Sequence, residues 1–255
     1  MNLRSRRGHL EAMQLPLNLI DPPVPSLDNG VVGRNTAALA ALSALFSSDA
    51  KGRYTTMHLW GAPGAGKSFW LKAWANHLGK EAELIGLDRT DDRRGAEVIY
   101  RGIEDKTEHP GAGPSIWLID NLETAGEKTA EALFRLYNAA REVGDRIVSS
   151  ASCAPHHLQL RDDLRTRIGQ SLIFELHELN DDEKKEALRE RALRLGLPIT
   201  DELLGYLLTR LPRDLGLLIG VLDGLNELSL SRQRPATIPL LKELLDPLHA
   251  ATRTL

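Results

Sequence analysis

A chain of 255 residues with 42% hydrophobic content is long enough to bury one large core or two smaller ones. Its formal net charge of -3 excludes a protein that coats nucleic acid by bulk charge, so any such contact is local or indirect. The single cysteine, Cys153, rules out an intramolecular disulfide framework and a cysteine-based zinc site. With no signal-peptide core and no membrane-length apolar run, the expected compartment is the cytoplasm, with no membrane partner.

Residues 1–12 carry Arg4, Arg6 and Arg7 and little apolar content, as a tail does. In the "MQLPLNL" that follows, Leu15, Leu17 and Leu19 alternate with other residues, so an extended backbone turns all three to one side. "DPPVP" then denies the backbone ladder donors and makes a semi-rigid spacer, closing an N-terminal segment of residues 1–25. Helical spacing over 36–46 leads into a strand at 55–60. The order continues as helix 68–78, strand 83–87, helix near 94–103, strand 115–120, helix 128–142 and strand 145–150. Such alternation predicts a parallel sheet covered by helices, an α/β domain over residues 26–178. Arg165 and Arg167 read as part of a charged loop.

From 179 the pattern becomes helical only. "NDDEKKEALRERALRLG" opens on capping-type residues and stops at Gly196, and apolar helices follow over roughly 201–209, 213–228 and 239–248. A small helical domain over 179–255 is therefore expected, with no solenoid repeat and no low-complexity tract.

"GAPGAGKS", residues 61–68, satisfies the phosphate-loop pattern and stands between a predicted strand and a predicted helix, as that pattern requires. Its glycines let backbone N–H groups converge on phosphate oxygens at a helix N-terminus. Lys67 would reach the β- and γ-phosphates, and the Ser68 hydroxyl would ligate Mg²⁺. The expected nucleotide contacts are Gly61, Pro63, Gly64, Ala65, Gly66, Lys67, Ser68 and Phe69, with ADP or ATP as the ligand. "SIWLIDN" is an apolar strand ending in Asp120, which would stand beside the metal. The next residue, Asn121, is an amide that cannot act as a carboxylate base, so little or no intrinsic hydrolysis is expected; Glu123 follows two residues later.

With the trailing helical domain, these motifs resemble an AAA+ ATPase, and several segments are similar to the ATPase module of the replication initiator DnaA. "VVGRNTAALAAL" resembles the segment that packs around adenine there, which implies base contacts for Val31 and Val32. "LFRLYNAAREVGDRIVSSAS" resembles the approach to that family's first sensor, although Ser152 and Cys153 stand where it has an acidic and a basic residue. The resemblance of "DDLRTRI" places an arginine finger on Arg167, and that of "LPRDLGLL" places a second sensor on Arg213 at a helix start.

DnaA continues into a DNA-binding domain, whereas this sequence stops at Leu255, so origin binding of that kind is not expected. The departures resemble the Hda family, DnaA-related regulators that combine an ATPase module with a short clamp-binding peptide and that also have Asn at the second acidic position. "QLPLNL" resembles that peptide, which would place Gln14, Leu15, Leu17 and Leu19 on the sliding clamp of DNA polymerase III. The resemblance implies a regulator that, on DNA-loaded clamp, makes DnaA hydrolyse its ATP. DNA would then be contacted mainly through the clamp, and the apolar lid helices leave a homodimer open. Two other readings stay open: an ATP-driven helicase loader or remodelling ATPase, and a nucleotide-binding adaptor with no catalytic effect.

Overall fold

The computed structural model describes residues 22–47, 49, 52–109 and 113–245. Val24–Asn180 form one compact unit, and the residues from Asp181 on, grouped with residues 22 and 23, form a second. The first holds five parallel strands, β1 (Thr55–Trp60), β2 (Ala82–Gly86), β3 (Ile116–Asp120), β4 (Arg146–Ala151) and β5 (Leu172–Glu175), in the order β2-β3-β4-β1-β5. Helices α1 (Thr36–Phe46), α2 (Lys67–Leu78), α3 (Asp92–Glu108), α4 (Glu127–Val143) and α5 (Asp162–Gly169) accompany them. This is the expected α/β sheet domain.

The two helical layers follow from the pleat of the central strand. β3 reads Ile-Trp-Leu-Ile-Asp and is buried throughout, the pattern of a parallel strand covered on both faces. Its alternate side chains divide between two cores. Ile116 and Leu118 join Leu42 of α1 and Leu71 of α2, while Trp117 and Ile119 join Ile99 of α3 and Leu133 and Leu136 of α4.

Two elements correct the sequence reading. Residues 162–169 form the helix α5 rather than a charged loop: Asp162 and Asp163 occupy its first turn, where they complement the helix dipole, and Leu164 and Ile168 are buried one turn apart. β5 is a strand that the sequence pattern did not announce. It lies at the sheet edge, where Leu172 and Ile173 remain exposed, so its four residues show no burial alternation.

The second unit contains α6 (Asp181–Leu195), α7 (Asp201–Arg210), α8 (Leu215–Arg232) and α9 (Ile238–Leu245). Leu188, Leu204, Leu207, Leu218, Leu222, Leu225 and Leu240 form its core. Thr200 caps α7 by accepting from the Leu203 N–H at 3.3 Å. Asp214 caps α8 by accepting from the Leu217 N–H at 2.8 Å, so that helix starts at Leu215 and Arg213 lies in the segment before it rather than in its first turn. No helix among the described residues is long and apolar enough to cross a membrane.

Candidate nucleotide-binding site

Because all five strands run parallel, their carboxyl ends share one side, which in open α/β sheets is where ligands bind. The loop of residues 61–66 leaves β1 there and turns into α2 at Lys67. Gly64 and Gly66 both have φ of +86°, a backbone conformation that glycine takes without steric cost. At Gly61 the constraint is space: a Cβ would lie 2.1 Å from the Leu176 carbonyl oxygen, just past β5. That segment is held by the Leu176 N–H donating to the Trp60 carbonyl at 2.7 Å. The unannounced strand therefore forms one wall of the phosphate loop.

Lys67 is buried, and its Nζ donates to the carbonyls of Gly61 at 2.7 Å and Ala62 at 2.9 Å. Burial lowers its pKa, while the nearby Glu123 and Asp120 charges pull it back up. The lysine is thus curled against the loop with two carboxylates within electrostatic reach. Lys67→Ala is expected to weaken ATP binding by about ten- to a hundredfold, the value of one or two charge-assisted hydrogen bonds, as measured by titration with a fluorescent ATP analogue.

Asp120 ends β3 and is only 5% exposed. Its Oδ1 accepts from the Ser150 hydroxyl and from the Asn121 N–H, the latter at 3.1 Å, which leaves Oδ2 open to a cation. Ser68, in the first turn of α2, adds a hydroxyl. Both are hard oxygen donors of the kind Mg²⁺ takes, and among the described residues no three His, Cys, Asp or Glu side chains cluster to hold a metal by themselves. This donor set fits Mg²⁺ carried in with phosphate oxygens and water.

The strand tip then bends in a way the sequence does not reveal. Asn121 takes a left-handed conformation, φ +61°, and opens the short 3-10 turn Leu122–Thr124. That turn brings Glu123 across to the end of β4, where its Oε1 accepts from the Ser152 N–H at 3.0 Å. Its Oε2 is buried with no hydrogen-bond partner.

Two anchors hold the segment that carries Val31 and Val32. Gly30 packs on the Trp70 indole of α2, where a Cβ would come within 2.3 Å of the ring. The buried Asn35 exchanges hydrogen bonds with the His177 backbone at 2.9 and 2.8 Å. Val31 and Val32 lie between these anchors in the chain, and the Val32 side chain is exposed. Phe69 meets Trp70 edge to face at 5.4 Å, Ala65 is buried, and Pro63 is exposed.

Arg167 has different neighbours. In the last turn of α5 it lies over the Phe134 ring at 4.6 Å, and its charge reaches Tyr54, the residue before β1. It therefore stands at the amino ends of the strands, opposite the phosphate loop. Arg213 belongs to the helical unit, where it is 3.5 Å from Asp181 and largely exposed. Gln14, Leu15, Leu17 and Leu19 lie outside the described residues.

Residues 181–245 match the family model of the Hda lid domain. The fold is similar to domain III of the Thermotoga maritima replication initiation protein DnaA, with a TM-score of 0.63 and 21% identity over 88% of this chain and 98% of that one. AMPPCP-bound DnaA from Aquifex aeolicus matches with a TM-score of 0.63 and 18% identity, covering 91% of this chain and 70% of that one. The Thermotoga maritima RuvB Holliday junction branch migration motor matches with a TM-score of 0.57 and 17% identity, covering 86% and 70% respectively.

Proposed function

We propose that this chain, an Hda-like, DnaA-related AAA+ protein, makes DnaA hydrolyse its bound ATP while the chain itself is tethered to DNA-loaded sliding clamp, preventing re-initiation. The observation that carries this reading is the placement of Arg167 at the far end of the sheet from residues 61–68. β1 alone spans about 20 Å at roughly 3.3 Å per residue, further than an arginine side chain reaches. That distance supports reading Arg167 as a residue that serves a neighbour's nucleotide rather than its own. An arginine supplied in this way stabilises the charge that develops on phosphoryl oxygens in the transition state.

The chain's own nucleotide, ADP or ATP, would sit on residues 61–68 with Lys67 at the phosphates. Mg²⁺, held by Ser68 and Asp120, would neutralise phosphate charge. Val31 and Val32 would flank the base, and Arg213, 3.5 Å from Asp181 in the helical unit, would be the second sensor that the resemblance implies. Gln14 and the alternating leucines would dock on the clamp as a short ribbon, with Pro16 reducing the entropy lost on binding. Repeated sites on a ring clamp would add avidity, and DNA would be contacted mainly through it.

The deciding experiment mixes ATP-bound DnaA, DNA-loaded clamp and the purified chain, and follows conversion of the DnaA-bound ATP to ADP. Conversion that needs both chain and clamp is the expected result; none above DnaA alone would overturn the proposal. Gln14→Ala with Leu15→Ala is expected to lower retention on immobilised clamp by about tenfold or more, since it removes the polar contact and one apolar anchor. Unchanged retention would leave the peptide without this role.

A further inference from the structure

We propose that Asn35 sets the nucleotide specificity of this chain: it ties the segment that presents Val32 to the wall of the phosphate loop, so that base and phosphates are gripped at one fixed spacing. The inference deepens the reading above and rests on residues 61–68 holding a nucleotide. Asn35 is buried, and its amide commits both kinds of polar group to one distant residue. Nδ2 donates to the His177 carbonyl at 2.9 Å, and Oδ1 accepts from the His177 N–H at 2.8 Å. Two buried hydrogen bonds of this kind form a clasp, because opening it leaves a donor and an acceptor unpaired on each side. The clasp closes at a defined place. The residue before His177 is Leu176, whose carbonyl excludes a Cβ at Gly61 and whose N–H is bonded to the end of β1.

The other end of the segment is anchored to the same loop. Gly30 seats on the six-membered ring of the Trp70 indole, and the five-membered edge of that indole faces Gly66, where a Cβ would lie 3.6 Å from Cδ1. Between the two anchors a 3-10 turn, Gly33–Asn35, is closed by the Asn35 N–H donating to the Val32 carbonyl at 3.0 Å, which makes Val32 and Asn35 one unit. Val32 is nevertheless 40% exposed. An apolar side chain held open to solvent beside a phosphate loop suits the flat face of a nucleobase, and a bare polyphosphate has nothing to place against it. Asn35 touches no ligand in this arrangement. It is a positioning residue that acts through Val32, and losing the clasp frees Val32 while the loop glycines and Lys67 stay as they are.

The test uses the full-length chain with Mg²⁺ and no DnaA or clamp, and compares the dissociation constants of ATP and inorganic tripolyphosphate by calorimetry. Asn35→Asp keeps the size of the side chain and the acceptor for the His177 N–H, but it turns a carboxylate oxygen on the His177 carbonyl, so one bond of the clasp becomes a repulsion. The expected result is an ATP affinity lower by about tenfold or more, the worth of one buried hydrogen bond, with tripolyphosphate affinity within about twofold of wild type. A merely structural role would weaken both ligands together or lower only the melting temperature. Either outcome leaves the ratio of the two affinities unchanged and would overturn the role of Asn35. Wild type that binds ATP no more tightly than tripolyphosphate would overturn it too, with the phosphate loop still standing as a site; wild type that binds neither would overturn the nucleotide site and this role with it. If N35D melts early, Val32→Ser carries the test at an exposed position: it should reproduce the selective loss of ATP, and an unchanged ratio there would overturn the proposal.

Discussion

Arg167→Ala is expected to lower clamp-dependent conversion of DnaA-bound ATP by about 10³-fold or more, the scale on which an arginine supplied in trans acts in phosphoryl transfer. The loss should fall on the rate and leave the chain's own nucleotide affinity and clamp retention unchanged, because Arg167 stands at the other end of the sheet from residues 61–68. The neighbouring cations supply the control. Arg161 and Arg165 are engaged by Asp163 and Asp162 at 2.7 and 2.6 Å, and Arg161 also lies 5.8 Å from the Phe134 ring on which Arg167 rests its guanidinium at 4.6 Å. Arg165→Ala should therefore stay within about threefold of wild type, the worth of an exposed ion pair. Arg167→Lys should remain strongly impaired, since an ammonium keeps the charge but loses the planar donor fork and the flat stacking face. Equal conversion by wild type and R167A in the reconstituted assay would exclude the finger.

The second large effect is on stability and depends on pH. His58, on β1, is fully buried, with Nδ1 2.8 Å from the Ser149 hydroxyl and Nε2 without a hydrogen-bond partner. Burial pushes its pKa down from 6.5 to about 4, against a smaller upward pull from the Cys153 backbone. Above pH 6.5 the imidazole is neutral in both folded and unfolded chains and adds no pH dependence. Between 6.5 and about 4 the unfolded chain takes up a proton that the folded chain refuses, so stability falls with pH across that window. The full loss is about 3 kcal/mol at 1.36 kcal/mol per pKa unit. Urea unfolding from pH 7 to 4 should show this drop in wild type, and His58→Gln, which cannot titrate, should flatten it. Identical pH slopes for the two proteins would assign the acid sensitivity to other groups.

How much of this was legible beforehand follows from the range over which each feature is encoded. The phosphate loop and Asp120 are local: eight consecutive residues and one apolar strand carry them, and the structure places both at the carboxyl ends of the strands. The helical unit was equally plain, because its leucines repeat at helical spacing over long stretches. α5 leaves little trace in the sequence because two buried residues, Leu164 and Ile168, are too few to establish a period among charges. β5 leaves none because an edge strand of four residues keeps apolar side chains exposed. The need for glycine at position 61 is set by the Leu176 carbonyl, distant in sequence, and the direction of Glu123 by one left-handed residue. Neither leaves a pattern in neighbouring residues. The cation–aromatic seat of Arg167 is of the same kind, since Phe134 belongs to a different helix.

The opposite placement of Arg167 and residues 61–68 also gives the α/β unit a direction. A subunit that presents a donor at one end and an acceptor at the other engages its neighbours head to tail, through unlike surfaces. A two-fold pair, by contrast, matches each surface with itself. Joined through either end, such a pair of copies would cover both arginines or both nucleotide sites at once.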